Sequence, residues 1–242
     1  MSSVTCSIAG SLPYIINNSD GLYEGNLRQY YRDVFHQGTH VNNAYHHFGH
    51  NLYVVYACYE ACLYYQNVWP LLASIATQSP SKREMRNLLV AAIFHDFDHT
   101  GKAIDEKGKA VPDSINIARA IEGLQRYILP EDQLYFDSIA SLIRVTEFPY
   151  KVSSIELPLL CQIIRDADIS HSLSHTWLQQ VVFGLAEEQK KTPFEILKDQ
   201  GNFYRKFLKF TTQWAKEKFR QSEIDRKIAE VEAHLEILTS NS

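Results

Sequence analysis

Apolar residues recur at three- and four-residue spacing along most of the chain, and strictly alternating stretches are scarce. The pattern predicts helices over about 24–36, 82–94, 114–128, 131–146, 154–169, 171–190 and 193–219. After a break at Gly38 and Thr39, Asn42 or Asn43 offers an N-cap for a further long helix reaching Gln66. Residues 1–22 read as a loop-like N-terminal segment ending in the turn formers Asn17-Asn18-Ser19-Asp20-Gly21, and 100–113 read as a polar loop. A heptad-like run of Ile224, Ile228, Val231, Leu235 and Leu238 marks a C-terminal helix and tail over 222–242. Two heptads are too few for an independent coiled coil, so this stripe is expected to pack on its own domain; a homodimer through the C-terminal helix is the other reading. The fold class is all-α. A compact multi-helix bundle, one domain over 1–242, can project site residues inward from several helices.

Composition narrows the partners. The chain has 242 residues, 45% of them hydrophobic, and a formal net charge of −4 with both signs interspersed. Nothing in that balance calls for nucleic acid or an anionic membrane. Positive charge for an anionic substrate must then come from local sources, of which a bound metal is the obvious one. No stretch is apolar enough to span a bilayer, and the N-terminus lacks the pattern of a signal peptide. Cys6, Cys58, Cys62 and Cys161 form no CxxC pair, and Cys58 and Cys62 read as small core residues. A reducing cytoplasm is the expected location.

Three short segments carry chemistry. In Tyr45-His46-His47-Phe48-Gly49-His50, His46 and His50 stand four apart. On a helix they share one face, where they can share a metal or divide roles. In Phe94-His95-Asp96-Phe97-Asp98-His99, an apolar helix runs into a His-Asp pair. A carboxylate buried there is expensive unless a cation or hydrogen-bond donors compensate it. Arg165-Asp166-Ala167-Asp168-Ile169-Ser170 supplies a further acid, with Asp168 as the candidate ligand and Asp166 as a supporting or surface residue. Mixed imidazole and carboxylate sets suit borderline-hard divalent metals, so the residues point to a metal-dependent hydrolase. Other histidines read more plainly: His171 and His175 as a helix-face pair near the site's mouth, His36 and His40 as solvated. Lys102, Lys107 and Lys109 belong to a solvated loop.

The order H…HD…D resembles that of the HD superfamily of metal-dependent phosphohydrolases. The closer resemblance is to the class I cyclic-nucleotide phosphodiesterase catalytic domain, over about residues 40–218. It is carried by Tyr45-His46-His47-x-x-His50, His95-Asp96-x-x-His99-x-Gly101, Ala120-Ile121-Glu122, Thr146-Glu147, Ala167-Asp168-Ile169-Ser170 and Gln200-Gly201-Asn202-Phe203. The resemblance implies a two-metal site. His50, His95, Asp96 and Asp168 would hold a zinc-, iron- or manganese-like ion, and Asp96 would bridge to a second ion, Mg²⁺ or Mn²⁺. His99, Glu122 and Thr146 would hydrogen-bond the waters of the second ion. His46 would be the general acid, Gln200 would pair with a purine edge, and Phe203 would stack on its face. The implied reaction is hydrolysis of a 3′,5′-cyclic nucleotide to the 5′-monophosphate by a water activated between two cations. The chain departs from that pattern at His47, Ile104 and Glu147, and in a short segment between Asp168 and Gln200, all of which bear on the nucleotide pocket rather than the metals. An HD-type nucleotidase or dNTP phosphohydrolase, and a catalytically silent nucleotide sensor, share the metal ligands and remain as alternatives.

Overall fold

The computed structural model describes residues 8–72, 79–102, 109 and 111–240; Cys6, Ile104 and Lys107 lie outside them. Among the described residues there is no strand. The α-helices are α1 (Ile8–Ile16), α2 (Arg28–Gln37), α3 (Phe48–Leu63), α4 (Trp69–Leu72), α5 (Lys82–Phe94), α6 (Asp113–Tyr127), α7 (Phe136–Arg144), α8 (Leu159–Ser170), α9 (Gly184–Gln189), α10 (Pro193–Lys206), α11 (Gln213–Lys218) and α12 (Gln221–Thr239). None of them is long and apolar enough to cross a membrane.

Helix α5 is the central element. Ser81 and Glu84 close a reciprocal capping box at its start: the Ser81 hydroxyl accepts from Glu84 N, and Ser81 N donates to Glu84. From there every side chain from Met85 to Phe94 is buried, the polar Arg86 and Asn87 among an otherwise apolar run. Helices α2, α3, α6, α7 and α8 surround it and share one large core, to which Tyr30, Val54, Ile93, Leu124, Ile143 and Ile164 belong. A second core forms around Trp177, Val182, Ile196, Leu197, Tyr204 and Val231. Helix α8 passes from one to the other: Ala167 belongs to the first core, Ile169 to the second, and Asp168 stands between them.

Several boundaries differ from the sequence pattern, each for a local reason. Residues 8–16 are helical, not loop-like, and Ile15 and Ile16 enter the large core. Helix α3 starts at Phe48 rather than after Asn42 or Asn43, because His47 caps it, its Nδ1 accepting from Gly49 N at 2.9 Å. The stretch 171–190 is broken into a 3₁₀ turn at His171–Leu173, a widened turn at Leu178–Phe183 and α9. The stretch 193–219 divides into α10 and α11, because Asp166 of α8 accepts hydrogen bonds from Thr211 and Thr212 and ties that segment down. Asp166 is therefore buried and structural. On α12, Ile224 and Val231 are buried, Ile228 and Leu235 pack on the second core, and Leu238 is exposed, so most of the stripe lies against its own domain. Cys58 and Cys62 are core residues, as expected.

One buried ion cluster pins α5 to its surroundings. Asp132 is fully buried and accepts from Arg86 Nε (2.8 Å) and Nη2 (2.7 Å), from Arg83 Nη1 (2.5 Å) and from the Tyr30 hydroxyl (2.7 Å). Arg86 also donates to the Glu24 and Asn26 carbonyls. Burial opposes the Asp132 charge, but these donors prevail and hold its carboxyl below the ordinary value of 3.8. Removing one partner strands the Arg86 charge in the interior, so Asp132→Ala should cost about 3–5 kcal/mol in denaturant unfolding. The folded pKa lies below the unfolded one. Stability from ionised Asp132 is therefore complete above the unfolded pKa and is lost as pH falls through the folded one. The wild-type advantage over Asp132→Ala should shrink on acidification below about pH 4; a pH-independent difference would contradict this assignment.

Candidate functional site

Three helix ends converge between the two cores. The first turn of α3 brings His50, the C-terminal end of α5 brings His95 and Asp96, and the end of α8 brings Asp168. His50 Nε2 lies 3.0 Å from Asp168 Oδ1 and 3.5 Å from Asp96 Oδ2. His95 Nε2 lies 3.4 Å from Asp96 Oδ2 and 4.0 Å from Asp168 Oδ1. The His95 tautomer follows from its other nitrogen: Nδ1 is 2.9 Å from the Ala92 carbonyl, which can only accept, so the proton sits on Nδ1. His95 Nε2 is then a bare lone pair facing a carboxylate oxygen. Both atoms are buried and have no hydrogen-bond partner. Two confronted acceptors repel one another unless a cation lies between them. The donor set thus fits a divalent metal: ligand atoms of His50, His95 and Asp168 all lie within 4.8 Å of one another, with Asp96 at their edge. Burial alone would raise the Asp96 pKa, but His95, His46, His50 and His99 hold its carboxyl well below the usual range.

His46 does not share a helix face with His50. It precedes α3, in a bend that α9 holds in place. Gly184 allows the approach, since a Cβ there would stand 2.7 Å from the Ala44 carbonyl oxygen. Glu188 of α9 then reaches the bend. Its Oε1 accepts from Tyr45 N (2.7 Å) and His46 N (2.9 Å), and its Oε2 lies 2.6 Å from His46 Nδ1. Loss of water around His46 favours the neutral ring, but the Glu188 hydrogen bond and the Asp96 charge outweigh it and raise its pKa to about 9. The ring stacks on His99 with centroids 3.8 Å apart. His99 is driven the other way, to about 3, by burial and then by the neighbouring His46. The two stacked rings are thus pushed in opposite directions, His46 toward the imidazolium and His99 toward the neutral form.

The turn after α5 positions His99. Asp98 adopts φ +58°, and its carboxylate accepts from Thr39 N (2.7 Å), while Asp98 N donates to His40 Nδ1 (3.3 Å). His40 is accordingly buried rather than solvated, whereas His36 is exposed. Helix α6 closes on this turn because Gly123 leaves room for the Phe97 ring. It presents Asp113 and Asn116, not Glu122: His99 Nε2 faces Asn116 Nδ2 at 2.9 Å and Asp113 Oδ1 at 3.8 Å. Glu122 is exposed further along α6 and is not among the residues lining the cavity. Thr146 is buried on the cavity wall, its hydroxyl donating to the Ile143 carbonyl at 2.8 Å.

Two cavities meet at His46 and Asp168. One, of about 270 Å³, carries the charged and polar side chains Asp96, His99, Lys102, Asp113 and Glu188 beside apolar Ile117 and Leu185. The other, of about 440 Å³, is lined by Tyr45, Ile169, Val181, Phe203 and Phe207, with Gln200 in its wall. Gln200 is buried, and its Oε1 has no hydrogen-bond partner. Phe203 is half-buried and packs at 6.4 Å from Phe148, which also borders both cavities. The predicted pair His171 and His175 separates: His175 is exposed, while His171 is buried against His50.

Glu188, Asp113 and Asn116 escape the sequence reading, and His171, read as a helix-face residue at the site's mouth, turns out to face His50. Glu188 sits in Ala186-Glu187-Glu188-Gln189-Lys190-Lys191, which has the look of a solvated charge run. Its partner is 142 positions away, so no local spacing betrays it.

No family model matches the sequence, and no curated protein is similar to it. Among solved structures, the chain is similar to the phosphodiesterase domain of the RhoPDE fusion protein from the choanoflagellate Salpingoeca rosetta. The two are 16% identical, with a TM-score of 0.63 over 99% of this chain and 95% of that one. At that identity the likeness concerns the fold: these helices are arranged as in a phosphodiesterase domain.

Proposed function

We propose that the chain is a metal-dependent phosphodiesterase acting on a 3′,5′-cyclic nucleotide. The observation that carries this reading is the meeting, at one cleft, of the unpartnered His95 and Asp96 lone pairs with the His46–Glu188 pair. His50, His95, Asp96 and Asp168 would hold one ion, and Asp96 would reach toward a second on the side of His99, Asp113 and Thr146. When bound, such ions neutralise phosphoryl oxygens and make water nucleophilic near neutral pH.

The remaining work falls to the chain itself. The His46 Nδ1 proton is held by Glu188, which leaves Nε2 to give its proton to the leaving ribose oxygen. An alkoxide leaves poorly unless protonated, and an imidazolium kept charged at neutral pH suits that step. His99, kept neutral beneath it, adds no competing charge. The apolar cavity next to His46 suits a base, with Phe203 as a stacking surface and the orphaned Gln200 amide as a hydrogen-bonding edge. Hydrolysis tested on cyclic nucleotides, cyclic dinucleotides, dNTPs and nucleoside monophosphates, with Mn²⁺ and Mg²⁺, checks the substrate class. The reading expects turnover of the 3′,5′-cyclic mononucleotides above the others.

Asp96→Ala and Asp168→Ala should each abolish activity and strip tightly bound metal, as measured by elemental analysis after desalting. Undiminished metal in both variants would sink the ligand assignment. His46→Ala should keep the metal and lower kcat by about two to four orders of magnitude, with a far smaller loss on a p-nitrophenyl phosphodiester, whose leaving group needs no proton. Glu188→Gln should shift the same way by a smaller factor. Equal losses on both substrates would make His46 structural. Gln200→Ala should raise KM for a cyclic purine nucleotide about 5- to 150-fold, the equivalent of about 1–3 kcal/mol, and spare the generic diester. Phe203→Ala should raise KM without changing the preference between adenine and guanine. Unchanged KM in both variants would move the favoured reading to a nucleotidase or dNTP phosphohydrolase.

A further inference from the structure

His50 turns one ring nitrogen toward Asp168 and Asp96 and the other away from the site. Its Nδ1 lies 2.8 Å from His171 Nδ1, both rings being buried. Two imidazole nitrogens at that distance share one proton: one donates and the other accepts. His171 Nε2 lies in turn 2.6 Å from Gln180 Oε1, and Thr176 Oγ1 donates to the same oxygen at 3.0 Å. Since that oxygen can only accept, the His171 proton is on Nε2. Its Nδ1 is then the acceptor and the shared proton belongs to His50 Nδ1; His50 Nε2, 3.0 Å from Asp168 Oδ1, then faces that carboxylate as a lone pair, an arrangement that is favourable only with a cation between them. The reverse orientation of the Gln180 amide would run every bond the other way and put a proton on His50 Nε2, where a metal has to bind.

We propose that His171 and Gln180 are positioning residues that fix His50 in its metal-binding tautomer. The inference rests on the reading of His50 as a metal ligand. Outer hydrogen bonds of this kind fix a ligating ring's orientation and basicity, and losing one typically weakens metal affinity about 10- to 100-fold. The rest of the packing supports the assignment. The His171 ring lies near-parallel to those of Tyr45 and Tyr53, with centroids 5.8 and 4.5 Å away, so a phenyl ring in its place keeps aromatic contacts and removes the nitrogens. Gln180 is half-buried and its amide oxygen meets His171 and Thr176, so changes there act through His171.

The test is Mn²⁺ affinity, measured by competition with a chromophoric chelator on the full chain, for wild type, His50→Ala, His171→Phe, Gln180→Glu and Gln180→Met. Glutamate keeps an acceptor at the right reach; methionine removes it. His171→Phe and Gln180→Met should bind Mn²⁺ at least about tenfold more weakly, while Gln180→Glu should stay within about threefold of wild type. Long-range ¹H–¹⁵N correlation spectra of the wild-type chain should show His171 protonated at Nε2 and His50 at Nδ1, a signature that loss of packing would not produce. Wild-type affinity in both His171→Phe and Gln180→Met would overturn the proposal, as would a His171 proton found on Nδ1. If His171→Phe misfolds, Gln180→Met and the spectra still decide. Weak Mn²⁺ binding by wild type, or no loss in His50→Ala, would bring down the ligand reading and the proposal with it. Loss in His50→Ala without loss in His171→Phe and Gln180→Met brings down the proposal alone.

Discussion

Asp96 is the constraint around which this molecule is arranged. A carboxylate at the end of a helix buried from Met85 onward is tolerable only inside a field of positive or proton-donating groups. Four imidazoles from two segments crowd around it, but of these His46 is the one whose pKa is raised and His99 is driven toward the neutral ring. His95 turns a lone pair rather than a proton toward the carboxylate, so the charge still missing is that of a cation. The fold serves this arrangement: α5 is fixed at its start by the Ser81–Glu84 cap and along its length by the Arg86–Asp132 cluster. Its far end can therefore carry an electrostatically costly group in a defined place.

The second core contributes what the first cannot. Helix α9 brings Glu188 across to the bend before α3, and α10 brings Gln200 and Phe203 to the neighbouring cavity. The cleft is thus polar where it meets the acidic cluster and apolar where it meets the second core, with His46 at the boundary. That division suits a substrate with a charged end and a flat apolar end. It is produced by packing two clusters of helices against one another, with α8 shared between them.

What could be read in the sequence followed from locality. The α5 boundaries at Lys82 and Phe94 were legible because a cap and an unbroken apolar run fix them within the segment. His50, His95, Asp96 and Asp168 were legible because each closes or opens a helix with a residue costly to bury. The helix at residues 8–16 was hidden by the turn formers that follow it and by the internal Pro13. His46 was misplaced onto α3 because His47, an unusual N-cap, starts that helix two residues later. Glu122 was drawn in by its sequence spacing, whereas the helix phase turns Asp113 and Asn116 toward His99 instead. The Glu188 and His171 contacts depend on the second core and have no local signature.

The decisive measurement is an anomalous difference map from crystals soaked in Mn²⁺. A cation bound where the lone pairs converge should give a peak within about 2.0–2.3 Å of His50 Nε2, His95 Nε2 and oxygens of Asp96 and Asp168. His46, His99 and Glu188 form a second group able to hold an ion. A strong peak bonded to His46 and Glu188, with none at Asp96, would contradict the account, because the proposed proton donor would then be a ligand and the buried carboxylate would have no cation to explain it.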